Sequence, residues 1–432
     1  MKLGKSNRFF YYTRIGAGSF MMNPCLFFKE DLNLSEFRDA ANRAIALYPE
    51  LSVRTVIRNG IPEAVEDDDP VAFYPDNEKA YNVGSDDTNG HLFFFRYGKD
   101  YVKLILYHGM TDYKGLMTYL RTVILYYAEN IHADMNEIDR EGLFSQIRTG
   151  IDDISAMDEE DMWDPYSKHG NSDSVSSYTY DYPEALGITS PLFEPEALYV
   201  HHHLLQLNKY DFINKTKELG VSFVPLLVDL ISGSILRKYR NGNLPVVAMV
   251  PADCRSFFGS RTLVNFSDGM MFPYYPENED LSVSERCALF KDFMIKQRTK
   301  ENFEKILGDK VRDTINFEKT DILAPAKKSS DSTPPVRRIT YALTYPGNLD
   351  MGYGLDEIIR DQFLQVYVTA FATIVYTYKE NMRILIIQRS DDPGLAECIQ
   401  DGFRKLGFET TLTDEGRYTG DLVRLSELRK EI

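Results

Sequence analysis

His108 and Asp112 stand four residues apart in the run His108-Gly109-Met110-Thr111-Asp112. An imidazole with an ordinary pKa of about 6.5 can take a proton near neutral pH and return it, which is what general-base catalysis requires. The spacing alone is common and also fits a structural histidine, so its surroundings decide between the two. Two other clusters invite chemistry. His201-His202-His203 lies in a β-rich stretch, where alternate residues share a face and His201 and His203 reach toward one ion. No carboxylate or cysteine is spaced to complete that site, so no metal is expected. Gly16-Ala17-Gly18-Ser19 lacks the lysine of a phosphate loop and reads as a turn. A Gly-x-Ser-x-Gly hydrolase elbow does not occur.

The elements that must position these residues alternate between strand and helix. Residues 20–28 are β-rich, and a helix is predicted over 33–47, where Leu34, Phe37, Ala40, Ala41, Ala44 and Ile45 recur at helical spacing. Pro49 stops it, and 52–57 returns as a strand that Asn59-Gly60 turns back. Strands at 91–97 and 101–107 flank Gly98-Lys99-Asp100, and the helix after Asp112 carries Leu116, Leu120, Val123, Ile124 and Tyr127 on one face. His108 thus falls where a strand ends before a helix, a place that presents side chains from a rigid scaffold.

From about 152 to 195 hydrophobic periodicity vanishes, and a connection between lobes is predicted. A strand at 198–207, helices near 210–219 and 225–240 around a turn at Gly220, and a strand at 246–250 follow. Strands 373–378 and 383–387 predict a hairpin with the four-residue loop Lys379-Glu380-Asn381-Met382. Residues 308–335 read as a low-hydrophobicity loop, and 395–412 as helix, turn and strand.

The segment Val250-Pro251-Ala252-Asp253-Cys254-Arg255-Ser256-Phe257-Phe258-Gly259-Ser260-Arg261-Thr262-Leu263-Val264-Asn265-Phe266 supplies the missing context. With the His108 motif, it resembles the chloramphenicol acetyltransferase-like superfamily, specifically its condensation-domain and alcohol-acetyltransferase branch, through Pro-x-x-x-Arg and Asn-Phe. The helix end Ala46-Leu47-Tyr48-Pro49-Glu50-Leu51 before Val53-Arg54 resembles it too, as does the Gly220-Val221-Ser222-Phe223 turn before a long helix. The likeness therefore runs over nearly the whole chain in family order.

That resemblance implies an α/β (α+β) fold of two related lobes in a V, with an inter-lobe tunnel. The N-terminal lobe would span 1–165, a linker 166–195 and the C-terminal lobe 196–432. His108 would act as general base, activating the hydroxyl or amine of a small-molecule acceptor for attack on a thioester. The co-substrate would be acyl-CoA, or a pantetheine thioester on an acyl carrier protein, with no permanently bound cofactor. Asp112 and Arg255 would pair structurally. Asn265, Ser267 and the backbone at Gly109 are candidates for stabilising the oxyanion; alternatively, Asn265-Phe266 only fixes a turn.

Two departures from the family pattern matter. The usual Asp-Gly is here Asp112-Tyr113-Lys114-Gly115, so the glycine arrives two residues late. Tyr113 is expected to crowd or reshape the site, or to mark a non-catalytic binding or scaffold protein that keeps the fold. Tyr107 stands where many condensation domains carry a first histidine, which favours alcohol-acetyltransferase relatives.

The chain's 432 residues exceed one ordinary core, and 43% hydrophobic content with 13% aromatics suffices for packed interiors. Forty-nine basic against 65 acidic residues give a net charge of −16, and no basic block offsets Glu66-Asp67-Asp68-Asp69 or Glu159-Glu160-Asp161. Nucleic-acid binding is therefore not expected, and an anionic coenzyme needs a local cationic site. Cys25, Cys254, Cys287 and Cys398 are scattered, as in a reduced cytoplasmic protein. The first residues lack the apolar core of an export signal. The longest uncharged run, 362–378, is shorter than the ~20 apolar residues of a membrane span and reads as buried strands.

Overall fold

The computed structural model describes residues 3–13, 19–59, 61–134, 136–171, 184–188, 199–319, 338–368, 370–424 and 428. In chain order its strands are β1 (Met21–Phe28), β2 (Val53–Arg58), β3 (Ile61–Glu66), β4 (Phe73–Pro75), β5 (Phe93–Tyr97), β6 (Tyr101–Tyr107), β7 (Val200–Asn208), β8 (Val246–Asp253), β9 (Ser267–Tyr274), β10 (Tyr341–Asn348), β11 (Ile359–Tyr367), β12 (Ala372–Tyr378), β13 (Asn381–Gln388) and β14 (Thr411–Tyr418). They form a five-stranded sheet, β11-β1-β6-β5-β4, a seven-stranded sheet, β14-β7-β13-β12-β10-β8-β9, and the β2–β3 ribbon. The mixed α/β class expected from the sequence is the class found.

The helix Leu34–Ile45 forms because Asn33 caps it, its side chain accepting from the Glu36 N–H, and because Phe37, Ala40, Ala41, Ala44 and Ile45 bury one stripe. That stripe packs beside the helix Tyr113–Asn130, with Phe37 edge-on to Phe28, Phe95 and Tyr127. In the second sheet the helix Phe223–Tyr239 is buried almost all round, as expected of an element enclosed by protein rather than facing water. Gly220, at φ +65°, ends the preceding helix Lys209–Leu219 in the left-handed conformation that glycine takes most cheaply.

The two sheets are laced together. β11 comes from the last quarter of the chain yet pairs antiparallel with β1, Met21 opposite Tyr367 and Cys25 opposite Phe363. His202 on β7 is buried, and its Nε2–H donates to the Val366 carbonyl of β11 at 2.8 Å. Asp421 returns to the first sheet and takes two donors from Arg96 in a buried ion pair.

Two expectations need correction. β12 and β13 pair up to Tyr378 opposite Asn381, so the loop is Lys379-Glu380, two residues instead of four, with Lys379 at φ +52°. Residues 308–318 are not loop: the helix Lys300–Glu318 runs through them, burying Phe303, Leu307, Val311 and Thr314 along one side. The stretch from 152 to 171 holds three short helices, Ile151–Ser155, Glu159–Trp163 and Pro165–His169. Each is too short to show a hydrophobic period, and side-chain caps from Asp158 and Asp164 set the last two. The predicted turn at Gly16-Ala17-Gly18 and the Lys327–Pro335 part of the predicted loop lie outside the described residues, as does most of the predicted linker.

Among the described residues no single helix is long and apolar enough to cross a membrane. The four cysteines are free, three of them buried and Cys398 half-buried.

Candidate active site

β6 ends at Tyr107, and the next residue turns its imidazole out of the sheet. The His108 N–H is held by the Phe20 carbonyl at 2.8 Å. Its Nδ1 lies 2.9 Å from the Thr111 carbonyl. A carbonyl only accepts, so Nδ1 carries the proton and the lone pair is left on Nε2. Phe20 meets the ring edge-on at 4.4 Å and Phe10 tilts against it at 5.2 Å. Burial pushes the pKa of His108 below its usual value, and the Thr111 carbonyl and Asp112 only partly offset this. The ring is thus oriented by its own turn, and burial favours its neutral form.

Asp112 points away from that ring. It caps the helix Tyr113–Asn130, accepting from the Gly115 N–H at 3.2 Å with one oxygen. The other oxygen receives Arg255 Nη1 at 2.8 Å and the Phe266 N–H at 2.9 Å. Burial alone would raise the carboxyl pKa; Arg255 and the two N–H donors outweigh it and hold it below the usual range. Arg255, delivered by the end of β8, also donates to the carbonyls of Thr262 and Val264 and to Asp253. All its ends are committed, and it is 4% exposed. The histidine and arginine motifs touch directly as well, through an isolated bridge between Thr111 and Val264 and a short hydrogen bond from Thr111 Oγ1 to the Leu263 carbonyl.

The late glycine has a place in this arrangement. A Cβ on Gly115 would lie 2.3 Å from the Leu263 carbonyl and 2.2 Å from Thr111 Oγ1, so only a bare Cα lets the two loops close. Tyr113 packs, partly buried, against the core around the first sheet, where Arg121, Tyr376 and Asp350 act on its phenol electrostatically. Its ring is not among the aromatic contacts of His108, which are Phe10 and Phe20.

Asn265 Nδ2 donates to the His108 carbonyl at 3.4 Å, and its Oδ1 accepts from Ser267 Oγ at 3.2 Å. Both residues therefore adjoin the motif, with Asn265 bracing the histidine's backbone. Gly109 is also enforced by packing, since a Cβ there would meet the Tyr107 ring at 2.4 Å. Sequence reasoning missed Phe10, Phe20, Asn7 and Lys310. Asn7 Nδ2 donates to the Met110 carbonyl at 3.3 Å, and Lys310 adds a charge that disfavours the imidazolium. No spacing rule links them to His108: the helix Lys5–Thr13 reaches the motif only by packing in three dimensions.

A groove borders the motif, lined among others by Lys114, Thr118, Arg121, Ser145 and Arg261. Arg148 and Arg255 on its wall are neutralised by Glu50 and Asp112. Arg261 is exposed. Elsewhere, His201, His203 and Asp414 place nitrogen and oxygen atoms within 4.8 Å of one another, a group able to hold a metal. The carboxylate that the sequence did not supply comes from the last strand.

No known protein-family profile matches the chain, and no curated protein sequence does. Its fold is chloramphenicol acetyltransferase-like. Among solved structures, polyketide synthase associated protein 5 from Mycobacterium tuberculosis superposes with a TM-score of 0.59 at 13% identity, covering 93% of this chain and 96% of that one. TRI101 from F. graminearum, solved with coenzyme A and T-2 mycotoxin, gives 0.60 at 10% identity over 94% and 97%. The epimerization domain from the third module of tyrocidine synthetase B gives 0.58 at 12% identity over 92% and 93%. At such identities the likeness establishes the fold, and the chemistry has to be argued from the site.

Proposed function

We propose that this chain is an acyltransferase that moves an acyl group from a thioester to an alcohol or amine, with His108 as general base. The observation that carries the reading is the 2.9 Å contact between His108 Nδ1 and the Thr111 carbonyl, which leaves Nε2 basic. Nε2 takes the proton of the acceptor's hydroxyl or amine as its oxygen or nitrogen attacks the thioester carbonyl. The resulting oxyanion collapses, the carbon–sulfur bond breaks, and the thiolate recovers the proton from the imidazolium. The Gly109 N–H, next to the base, is the donor best placed by sequence to face that oxyanion, because Asn265 already bonds the His108 carbonyl.

The donor is acyl-CoA or a carrier-bound pantetheine thioester, and the acceptor a small molecule. TRI101 was solved with coenzyme A and a mycotoxin, which supports a donor and acceptor of these kinds on this fold. In a chain of net charge −16, coenzyme phosphates need a local cationic site, and we assign Arg121 and Arg261 of the groove to it. Residues 1–165 and 196–432 are read as the two lobes that present the motifs to each other.

The test is thiol release from acetyl-CoA with and without a panel of alcohols and amines. Acceptor-dependent release that His108→Ala abolishes is expected. Undiminished release in that variant overturns the reading.

A further inference from the structure

His201 and His203 leave β7 on the same face, their rings stacked at 4.6 Å, and both are buried. β14 places Asp414 opposite His203, and the ladder then slips so that Gly416 follows opposite His202. This irregularity brings Asp414 Oδ1 to 2.7 Å from His201 Nε2. On its other side, His201 Nδ1 lies 2.7 Å from Asp391 Oδ1, and Arg417 clamps Asp391 through Nε at 2.9 Å and through a second, shorter contact. Gln388, opposite His201 on β13 and 1% exposed, sets its amide 3.4 Å from His203 Nε2, and its Oε1 has no partner.

We infer that His201, His203 and Asp414 form a binding site for a divalent transition cation of the zinc class. Two imidazole nitrogens and one carboxylate oxygen are the donor set such ions prefer, at bond lengths of about 2.0–2.2 Å. Three further features point the same way. His201 Nε2 and Asp414 Oδ1 are 2.7 Å apart, close enough to share one proton or to bind one ion. With Nδ1–H given to Asp391, His201 offers the lone pair of Nε2 to an ion. The chain Arg417–Asp391–His201 is also the outer support that orients metal-bound histidines through a carboxylate on the far ring nitrogen. The buried Gln388 amide beside His203 is held by donating from Nε2 to the carbonyls of Ser390 and Asp392 at 2.9 and 2.6 Å, which fixes the wall of the site. Asp414 is exposed, so the site opens to solvent. None of these residues belongs to the His108 site, and an ion here would pin β14 and the 389–392 loop to β7.

The full-length chain, without a histidine tag and dialysed against chelator, is titrated with Zn²⁺ by calorimetry, and bound metal is counted by elemental analysis after desalting. One equivalent per chain is expected, with a rise in the unfolding midpoint that chelator reverses. Asp414→Asn keeps size and surface exposure and should abolish the stoichiometric binding. Asp391→Asn should weaken it by about 10- to 100-fold, as removal of an outer support does. His169→Ala, at a histidine held elsewhere by Asp161, should leave it unchanged. Absence of stoichiometric zinc in the wild type, or full retention in Asp414→Asn, overturns the inference.

Discussion

Arg255 Nη1 lies 2.8 Å from Asp112 Oδ2, and 143 residues of chain separate the two partners. Both are almost wholly buried. The same carboxylate caps the helix that follows His108 and receives the Phe266 N–H, so one side chain fixes the helix start, the turn before it and the loop after β8.

Replacing Asp112 with Ala should therefore destabilise the chain by about 3–5 kcal/mol in urea unfolding, because it strands the Arg255 charge in the interior. Arg255→Ala should cost a similar amount. The double variant should cost much less than the sum, and additivity in that cycle would show that the pair is not coupled.

His108→Ala should lower acyl transfer by about 10²- to 10⁴-fold, the usual contribution of a positioned base. The unfolding midpoint should stay close to wild type, since the ring's one hydrogen bond is local to its turn. A large loss of stability would make the histidine a structural residue.

The pH profile should carry the mark of the phenyl cage. In the proposed mechanism the active form is the neutral imidazole, and burial holds its pKa below the ordinary 6.5. Activity should therefore be level through neutrality and fall only as the pH drops below that value. Phe20→Ala opens the ring to water and should move the acid limb upward, toward 6.5. An unmoved limb would assign the titration to another group.

Gly115→Ala should disturb the motif itself, whereas Tyr113→Gly should disturb only the packing beside it. The added methyl runs into the Leu263 carbonyl, and overpacking of this kind costs about 1–3 kcal/mol. Removing the Tyr113 ring should cost stability but leave turnover within a few-fold of wild type. A large gain in turnover would instead mean that Tyr113 obstructs the reaction.

Arg261→Glu places a negative charge in the groove without touching His108. KM for acyl-CoA should rise with kcat nearly constant, as expected when ground-state and transition-state binding weaken together. Unchanged KM would place the coenzyme phosphates elsewhere.

Much of this was legible in the residues. The helix after Asp112 and strands β6, β7 and β8 follow from periodicity, and the pairing of Asp112 with Arg255 follows from motif resemblance. What escaped notice depends on long-range packing. Phe10, Phe20 and Lys310 reach His108 from three separate segments, and nothing in their local pattern differs from ordinary core or surface. Asp391 and Asp414 lie on a loop and strand far downstream of His201, so the histidine triplet looked incomplete. The role of Gly115 was hidden because counting along the chain marks it as misplaced, whereas the space between Thr111 and Leu263 requires it.

β11 has a consequence for how the protein opens. Its nine residues are stitched to β1 in the first sheet, and the next strand, β12, lies in the second. The strand therefore moves with the first sheet, and the buried hydrogen bond from His202 on β7 to the Val366 carbonyl, worth about 0.5–1.5 kcal/mol, is a contact that a separation of the two sheets would break. A chain cut short before β11 would leave β1 with an unpaired edge, so the first sheet is completed only by a late part of the sequence.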